Sequence, residues 1–307
     1  MEILISTPPS FNYRRTVLSH GWCELSPCAF DDQSWTLRRV LGVGDKALTV
    51  AIDGTEDALR IQAPRRLGAR AAEVVSRDVR HMFRLDDDLN EFYRMMDVDP
   101  SFAWVSAAGA GRLLRSPTVY EDLVKTLCTT NCSWALTKIM VTALVTNLGR
   151  ATNDGQRAFP TPEAMADAPE KFYRDMVRSG YRAPYLKELA VRVASGSLNV
   201  EAWLTSKLST AELKREIKQV KGAGDYAADN LLKLLGRYDG LALDSWVRAK
   251  FARTHHLGRV CSDTKIARYY SRFKTWRGLA LWCDMTRDWL NDDSALAAES
   301  RGFASMT

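Results

Sequence analysis

The sequence lacks the cysteine and histidine patterns that bind metal ions. Its 307 residues include six cysteines and four histidines, with no Cys-x-x-Cys pair and no histidine cluster. Cys128 and Cys132 have the spacing of one helical face, but no second pair stands near them. We therefore expect no zinc site. The shortage of histidine also disfavours a catalytic histidine, and the thiols fit a reduced, intracellular protein.

Long apolar runs are also missing. No run approaches the roughly 18 residues that a membrane-spanning helix needs, and the N-terminus lacks the layout of a signal peptide. We expect a soluble, non-secreted protein with no membrane partner.

A small excess of positive charge is present. Lysine and arginine number 43 against 37 aspartate and glutamate, which gives a formal net charge of +6. Such an excess fits a nucleic-acid partner, but it fits a solvated basic surface equally well. With 46% hydrophobic residues the chain can bury a substantial core, and its length suggests two domains.

Two regions of the chain differ in their hydrophobic pattern. Strand-like runs at 1–7, 34–40, 47–52 and 58–62, followed by helical patterns, predict a β-rich N-terminal domain over residues 1–98. Residues 99–291 have helical patterns throughout, with one helix starting at Ser116-Pro117, and 292–307 resemble a loose tail. The predicted fold class is α+β, mostly helical with a small β-rich domain. The predicted helices are 65–83, 85–96, 134–148, 162–167, 170–179, 183–195, 210–220, 225–236, 245–254, 266–273 and 276–290.

The stretch 220–229 contains a Gly-Ala-Gly turn that leads directly into a helix. Gly222 and Gly224 permit positive φ angles and leave room for another backbone to approach. The amides of Gly224, Asp225 and Tyr226 stand at a helix N-terminus, which is a favourable place for a phosphate oxygen. An ordinary helix corner without a ligand is the alternative. A dinucleotide-binding turn is disfavoured, because the preceding segment is charged and helical rather than an apolar strand.

A single carboxylate, Asp244, follows at the start of the next predicted helix. The turn, its helix, the apolar linker 241–243 and Asp244 have the order and spacing found in the helix-hairpin-helix DNA glycosylases, which this sequence resembles. Segment 123–131 resembles the helix–loop entry of this family, 180–185 resembles the corresponding segment of 8-oxoguanine DNA glycosylases, and 276–280 resembles the last helix of bacterial 3-methyladenine DNA glycosylase II. The resemblance covers most of the chain and is strongest over 116–251.

The resemblance implies a DNA glycosylase of base excision repair. Such an enzyme flips a damaged base out of the duplex and hydrolyses its N-glycosidic bond. Asp244 would stabilise the oxocarbenium-like sugar and activate water, although it can also serve only as a helix cap. Tyr226 stands where part of the family has a Schiff-base lysine, which implies a monofunctional enzyme without lyase activity. Tyr226 is expected either to line the base pocket or to pack the hairpin helix.

Three residues match positions that read the damaged pair in 8-oxoguanine glycosylases. Asn131, Tyr181 and Arg182 would occupy the vacated space and contact the orphaned base. The alternatives are a helix-capping Asn131, a Tyr181 packed on the core and a surface Arg182 paired with a carboxylate. These residues indicate oxidised purines as the substrate. The absence of the Schiff-base lysine and the segment that begins at Trp276 indicate alkylated purines instead. Trp276 itself is expected either to line the base pocket or to pack in the core. We favour an alkylated or otherwise damaged purine.

The expected partner is double-stranded DNA containing a damaged base. The predicted DNA contacts are Asn131, Tyr181, Arg182, Lys221, Gly222, Gly224 and Asp225. A monomer is the family expectation, located in a bacterial cytoplasm or a eukaryotic nucleus. The other hypotheses are a non-catalytic DNA-binding protein of the same fold and a helical scaffold for protein partners.

No cofactor is expected. Some relatives carry a four-cysteine iron–sulfur cluster after the last helix, but only Cys261 and Cys283 lie in that region. An alkali ion at the hairpin carbonyls is left open, with Val220 and Ala223 as the candidates.

Overall fold

A computed structural model describes residues 1–290, so the predicted tail at 292–307 lies outside the described residues. The N-terminal part contains one antiparallel sheet with the strand order β1-β5-β4-β3-β2. Its strands are β1 (Glu2–Ser6), β2 (Cys28–Asp31), β3 (Thr36–Val43), β4 (Lys46–Gly54) and β5 (Ala58–Gln62). In β4 the alternate residues Leu48, Val50 and Ile52 are buried, as expected for a sheet with one face on the core.

The rest of the described chain is mostly helical, which confirms the predicted α+β class. The helices are α1 (Tyr13–Val17), α2 (Ala69–Met82), α3 (Asn90–Asp97), α4 (Trp104–Ala107), α5 (Val119–Thr129), α6 (Trp134–Leu148), α7 (Pro162–Asp167), α8 (Glu170–Asp175), α9 (Ala183–Ala194), α10 (Thr210–Ile217), α11 (Asp225–Leu234), α12 (Ser245–His255), α13 (Asp263–Tyr270) and α14 (Arg277–Met285). Short 3₁₀ turns lie at Gly21–Glu24, Gly180–Arg182, Glu201–Thr205, Ser271–Trp276 and Arg287–Leu290. None of these helices is long and apolar enough to cross a membrane.

Helix capping corrects one predicted boundary. The helix expected at Ser116-Pro117 begins at Val119, and its N-cap is Thr118, whose hydroxyl accepts the amide of Glu121 at 3.2 Å. The Ser116 hydroxyl instead accepts a hydrogen bond from buried Lys125 at 3.3 Å. The Ser116 hydroxyl is thus bound by a side chain of α5, and Thr118 caps the helix instead.

The last predicted helix is also shorter than its apolar pattern. A continuous helix over 276–290 was expected, but α14 ends at Met285 and a 3₁₀ turn, Arg287–Leu290, follows. The Thr286 hydroxyl donates a hydrogen bond to the carbonyl of Trp282 at 2.7 Å, where it competes with the backbone at the helix end.

A buried ion network joins the sheet to α5. Arg39 of β3 donates two hydrogen bonds to Glu121, at 2.9 and 2.5 Å, and Lys125 lies 2.7 Å from the same carboxylate. All three side chains are buried. Glu121 thus fastens the β-rich part of the chain to the helix that leads into the candidate site.

Candidate active site

The glycine turn joins α10 to α11 as a helical hairpin. Gly222 has φ +87°, and a Cβ at this position would lie 2.8 Å from Cδ2 of Tyr185. A glycine is therefore needed at 222 for two reasons: the turn requires a left-handed backbone conformation, and Tyr185 leaves no room for a side chain. Gly224 has φ −73° and open space around it, so it does not use the positive φ that glycine permits. It remains the N-cap of α11, whose first amides point away from the helix without intrahelical acceptors.

Asp244 is the N-cap of α12. Its Oδ1 accepts the amide of Val247 at 2.7 Å, so the capping interaction expected from the sequence is present. Burial raises the pKa of the Asp244 carboxyl, while the Val247 amide and the charge of Lys233 oppose that rise. The carboxylate is held rigidly at a helix start and is partly withdrawn from water.

A cavity opens beside Asp244. Three tryptophans, Trp22, Trp134 and Trp282, contribute to its walls, together with Tyr226. The remaining lining residues are His20, Gly21, Leu113, Thr126, Thr129, Cys132, Thr137, Asn230, Lys233 and Leu234. An aromatic cavity of this kind suits a flat ring with a few polar groups on its edge.

A wider surface groove meets the cavity at Asp244 and Tyr226, which line both. The groove includes most of the site residues that the sequence indicated, and these residues come from four separate parts of the chain. Those shared residues are Asn131, Tyr181, Gly222, Gly224, Asp225, Tyr226 and Asp244. The fold therefore brings the hairpin, Asp244, the loop before α6 and the segment before α9 to one surface.

Asn131 and Tyr181 stand together at the groove. The Asn131 amide donates to the Tyr181 hydroxyl at 3.4 Å, and half of Tyr181 is exposed. Asn131 has φ +45°, a left-handed conformation that asparagine tolerates. Ser133 is the N-cap of α6, so the alternative of a capping Asn131 is wrong, as is that of a Tyr181 buried in the core.

Arg182 does not match the alternative of a surface arginine paired with a carboxylate, and it does not line the groove. It is only 5% exposed, its guanidinium lies 4.5 Å from the ring of Tyr181, and its Nε donates to the Thr130 hydroxyl at 3.2 Å. Within residues 1–290 its buried Nη2 has no hydrogen-bond partner. In this conformation the Arg182 guanidinium packs against the ring of Tyr181.

Trp276 and Lys221 also lie outside the groove and cavity. Trp276 packs between Tyr238 and Phe92, with ring centroids 5.3 and 5.4 Å away, so its expected place in the base pocket is corrected. Lys221 pairs with Glu188 at 2.6 Å next to the hairpin. Asp225 is at the groove, but it pairs with Lys218 at 3.0 Å and with Lys214 at 3.2 Å.

Sequence reasoning missed Lys233, which is almost completely buried in the cavity wall. It lies seven residues, or about two helical turns, beyond Tyr226 on α11, so helical periodicity could have placed both on one face. Its Nζ is 4.5 Å from the ring centroid of Trp282. Burial lowers the pKa of Lys233 to about 8, although the negative charges of Asp244 and Asp229 act to raise it.

His20, also missed, is a neutral wall of the cavity. Its Nε2 lies 2.5 Å from the carbonyl of Leu114, which can only accept, so Nε2 carries the proton. Burial lowers the pKa of His20 to about 3. Nothing in its local sequence separates it from the other histidines.

The loop that precedes Asp244, residues 235–243, is hydrogen-bonded to the start of α14. The amide of Gly278 donates to the Tyr238 carbonyl at 2.6 Å, and Nε of Arg277 donates to the Asp239 carbonyl at 2.5 Å. A Cβ on Gly278 would lie 2.0 Å from the carbonyl oxygen of Gly240. The position of Asp244 therefore depends on the absence of a side chain at 278.

We expect Gly278→Ala to cost about 1–3 kcal/mol of unfolding free energy, because the new methyl group displaces a backbone carbonyl. The displaced loop should also slow any reaction that uses Asp244. Urea denaturation measures the first effect. The control is Gly42→Ala, where a Cβ meets open space and the change should stay within about 0.5 kcal/mol. Equal stability of the two variants would contradict this account of the loop.

No metal cluster is found in the described chain: no three histidine, cysteine, aspartate or glutamate side chains of residues 1–290 lie close enough to hold an ion. Cys261 and Cys283 are both buried as free thiols. At the hairpin, the Val220 carbonyl already accepts the Ala223 amide at 3.0 Å. The alkali ion at these carbonyls stays a prediction.

The whole fold is similar to solved DNA glycosylases. A 3-methyladenine DNA-glycosylase from Archaeoglobus fulgidus matches with a TM-score of 0.74 at 21% identity, over 95% of this chain and 99% of that one. An 8-oxoguanine glycosylase/lyase from Clostridium acetobutylicum, in complex with DNA containing cytosine opposite 8-oxoG, matches with a TM-score of 0.73 at 20% identity, over 94% and 96%. No protein-family model and no curated protein matches the sequence.

A smaller relative matches part of the chain. The Schizosaccharomyces pombe 3-methyladenine DNA glycosylase, in complex with abasic DNA, gives a TM-score of 0.52 at 22% identity, over 66% of this chain and 98% of that one. At such identities the similarity concerns the fold. The chain therefore has the fold of the 3-methyladenine and 8-oxoguanine DNA glycosylases, as its helix-hairpin-helix motif predicted.

Proposed function

We propose that this protein is a monofunctional DNA glycosylase of base excision repair that removes a damaged purine with Asp244. The observation that carries the proposal is the position of Asp244, where a surface groove meets a cavity with aromatic walls. Base excision needs such an arrangement, because the duplex stays outside while one flipped base enters an enclosed pocket. The similarity of fold to solved glycosylases supports it.

The proposed reaction is hydrolysis. The bond between C1′ and the base nitrogen breaks, its electron pair leaves with the base, and the sugar passes through an oxocarbenium-like state. Ionised Asp244 stabilises that positive charge and takes a proton from the water that adds to C1′. The Val247 amide holds the carboxylate in place without neutralising it. The products are a free base and an abasic site.

The absence of lyase activity is part of the proposal. Tyr226 lines both the cavity and the groove, and the sequence resemblance matches it to the Schiff-base lysine of bifunctional DNA glycosylases. Burial raises the pKa of its hydroxyl to about 12, and a phenol does not form an imine with a sugar aldehyde. Borohydride should therefore trap no covalent complex between this protein and DNA.

An alkylated or otherwise damaged purine is the proposed substrate class. Trp22, Trp134 and Trp282 offer faces on which a purine can stack. An 8-oxoguanine-type substrate is the second candidate, favoured by Asn131 and Tyr181 at the groove. A non-catalytic DNA-binding protein would need neither the cavity nor the carboxylate at its mouth.

The proposed partner is double-stranded DNA that contains a damaged base. We place the protein inside the cell, associated with DNA and acting as a monomer. The first amides of α11 would hold a backbone phosphate, and Lys221 stands beside them. Asp225 is bound by two lysines, which offsets its repulsion of that phosphate.

Substitution of Tyr181 tests whether the groove binds DNA. Tyr181→Ala should weaken binding to a lesion-containing duplex by about 1–3 kcal/mol, because its exposed ring is placed to stack on a base beside the vacated position. Fluorescence anisotropy with labelled duplex measures the change. Tyr181→Phe keeps the ring and should bind like the wild type. If alanine binds as tightly as phenylalanine, Tyr181 does not contact the bases.

A lesion panel tests the function itself. Duplexes with single alkylated, deaminated or oxidised purines are incubated with the protein, and alkali then cuts the strand at every abasic site. We expect strand breaks after alkali for at least one lesion and none without it. Failure to release any base would refute the glycosylase, whereas breaks without alkali would refute only the monofunctional mechanism.

A further inference from the structure

We infer that Lys233 makes the base cavity selective for uncharged damaged bases that present a hydrogen-bond acceptor, and that it excludes bases made cationic by alkylation. This inference rests on the proposed function and narrows its substrate class. It starts from a lysine that is 3% exposed in the wall of the cavity that would receive the flipped base.

The ammonium group of Lys233 has unused hydrogen-bonding capacity. In the described part of the chain its Nζ makes no hydrogen bond and no ion pair, and it lies over the face of Trp282, 4.5 Å from the ring centroid. A buried charge without a hydrogen bond is costly unless a ligand completes the site. An acceptor atom on the edge of a bound base would complete it.

The charges around Lys233 leave it cationic at neutral pH. Burial lowers the pKa of the amine to about 8, which still favours the protonated form at pH 7. Asp244 on α12 and Asp229 on α11 favour that form as well. His20 faces the same cavity but is neutral, since burial lowers its pKa to about 3. The cavity therefore contains the positive charge of Lys233 in its wall and the negative charge of Asp244 at its mouth, and His20 adds no charge.

The same charge repels a cationic base. An N7- or N3-methylated purine is positively charged, and aromatic walls alone would attract it. With Lys233 in the wall, two like charges would share one enclosed cavity. A neutral base with a carbonyl oxygen is attracted instead, because the ammonium donates a hydrogen bond to that oxygen. The same ammonium stabilises the negative charge that develops on the base when it leaves with the electron pair of the glycosidic bond.

Lys233 also has a simpler explanation, which the experiment must separate from selectivity. It is coupled electrostatically to Asp244 and helps keep that carboxylate ionised. If this were its whole role, loss of Lys233 would slow the removal of every base by the same factor. It would also shift the acidic limb of the pH–rate profile to higher pH on every lesion.

The test compares Lys233→Met and Lys233→Arg with the wild type on duplexes containing hypoxanthine, 8-oxoguanine or cationic 7-methylguanine. Single-turnover rates with Lys233→Met should fall about 10- to 100-fold on the neutral carbonyl base that the wild type removes fastest, and should stay equal or rise on 7-methylguanine. Lys233→Arg keeps the charge and should keep the wild-type preference. A uniform loss on all lesions, or a wild-type preference for 7-methylguanine, would overturn the inference.

Two further measurements keep the test decisive. Lys233→Met should melt at the same temperature as the wild type or higher, because it removes a buried charge without a hydrogen bond. Binding to duplexes with 2′-fluorinated lesion nucleotides, whose glycosidic bond resists hydrolysis, should show the same selectivity. If no base is released but binding is selective, the proposed hydrolysis fails and the role of Lys233 stands. If binding is unselective, the inference fails whatever the activity.

Discussion

Replacing Asp244 by asparagine should lower the rate of base release by about 10²–10⁴-fold, the range for loss of one general base or one charge-stabilising group. The amide is uncharged, so it stabilises the oxocarbenium-like sugar weakly and takes no proton from water. The rate is measured in single-turnover reactions on the best lesion duplex, with alkali to reveal abasic sites. DNA binding should be kept or strengthened, since a negative charge near the phosphates is removed.

Asparagine is also the matched structural control at this position. Its side-chain oxygen can accept the Val247 amide as aspartate does, so the cap of α12 is kept. Asp244→Ala loses both the charge and the cap, and should cost about 1 kcal/mol of stability in addition. Wild-type rates in Asp244→Asn would show that the carboxylate only caps the helix.

Replacing Glu121 by alanine should destabilise the protein by about 3–5 kcal/mol, because it leaves Arg39 and Lys125 buried without their counter-charge. The midpoint of urea denaturation measures the loss. Glu170 pairs with Arg174 on an exposed helix surface, and Glu170→Ala should cost no more than about 1 kcal/mol. Similar losses in both variants would mean that the buried network contributes nothing beyond a surface pair.

The network also predicts how stability depends on pH. Burial opposes ionisation of Glu121, but the charges of Arg39 and Lys125 outweigh it and hold the pKa at about 2. This folded-state pKa lies below the value of about 4.3 expected in the unfolded chain. The contribution of Glu121 is therefore complete above pH ~4.3 and is lost as the pH falls toward 2. Glu121→Ala should lose less stability than the wild type over that interval.

The sequence predicted those features of the site that depend only on neighbouring residues. The hairpin was predicted because its signals lie within a few residues: Gly222 in the turn, then α11, then Asp244 at the start of α12. Capping and left-handed turns depend on near neighbours, so composition and spacing carry them. The structure corrected a detail of this kind at α5, which begins at Val119 rather than at Ser116-Pro117.

Local sequence patterns did not predict which tryptophan of the C-terminal region lines the cavity. The sequence indicated Trp276, but Trp282 lines the cavity and Trp276 packs on Tyr238. Trp276 is the N-cap of α14 and Trp282 lies six residues further along, so the two side chains point in very different directions. Trp282 is oriented partly by its Nε1, which donates to the Ser19 carbonyl at 2.8 Å, a contact 263 residues away in the chain.

The sequence by itself determined the α+β class, the hairpin and the single carboxylate, because local rules of turns, caps and periodicity specify them. Only the tertiary structure decided what encloses that carboxylate. Trp22 and His20 come from the N-terminal part, Lys233 from α11 and Trp282 from α14, and they meet around one cavity. Their convergence depends on long-range packing and on the cost of burying charge, which no short stretch of sequence contains.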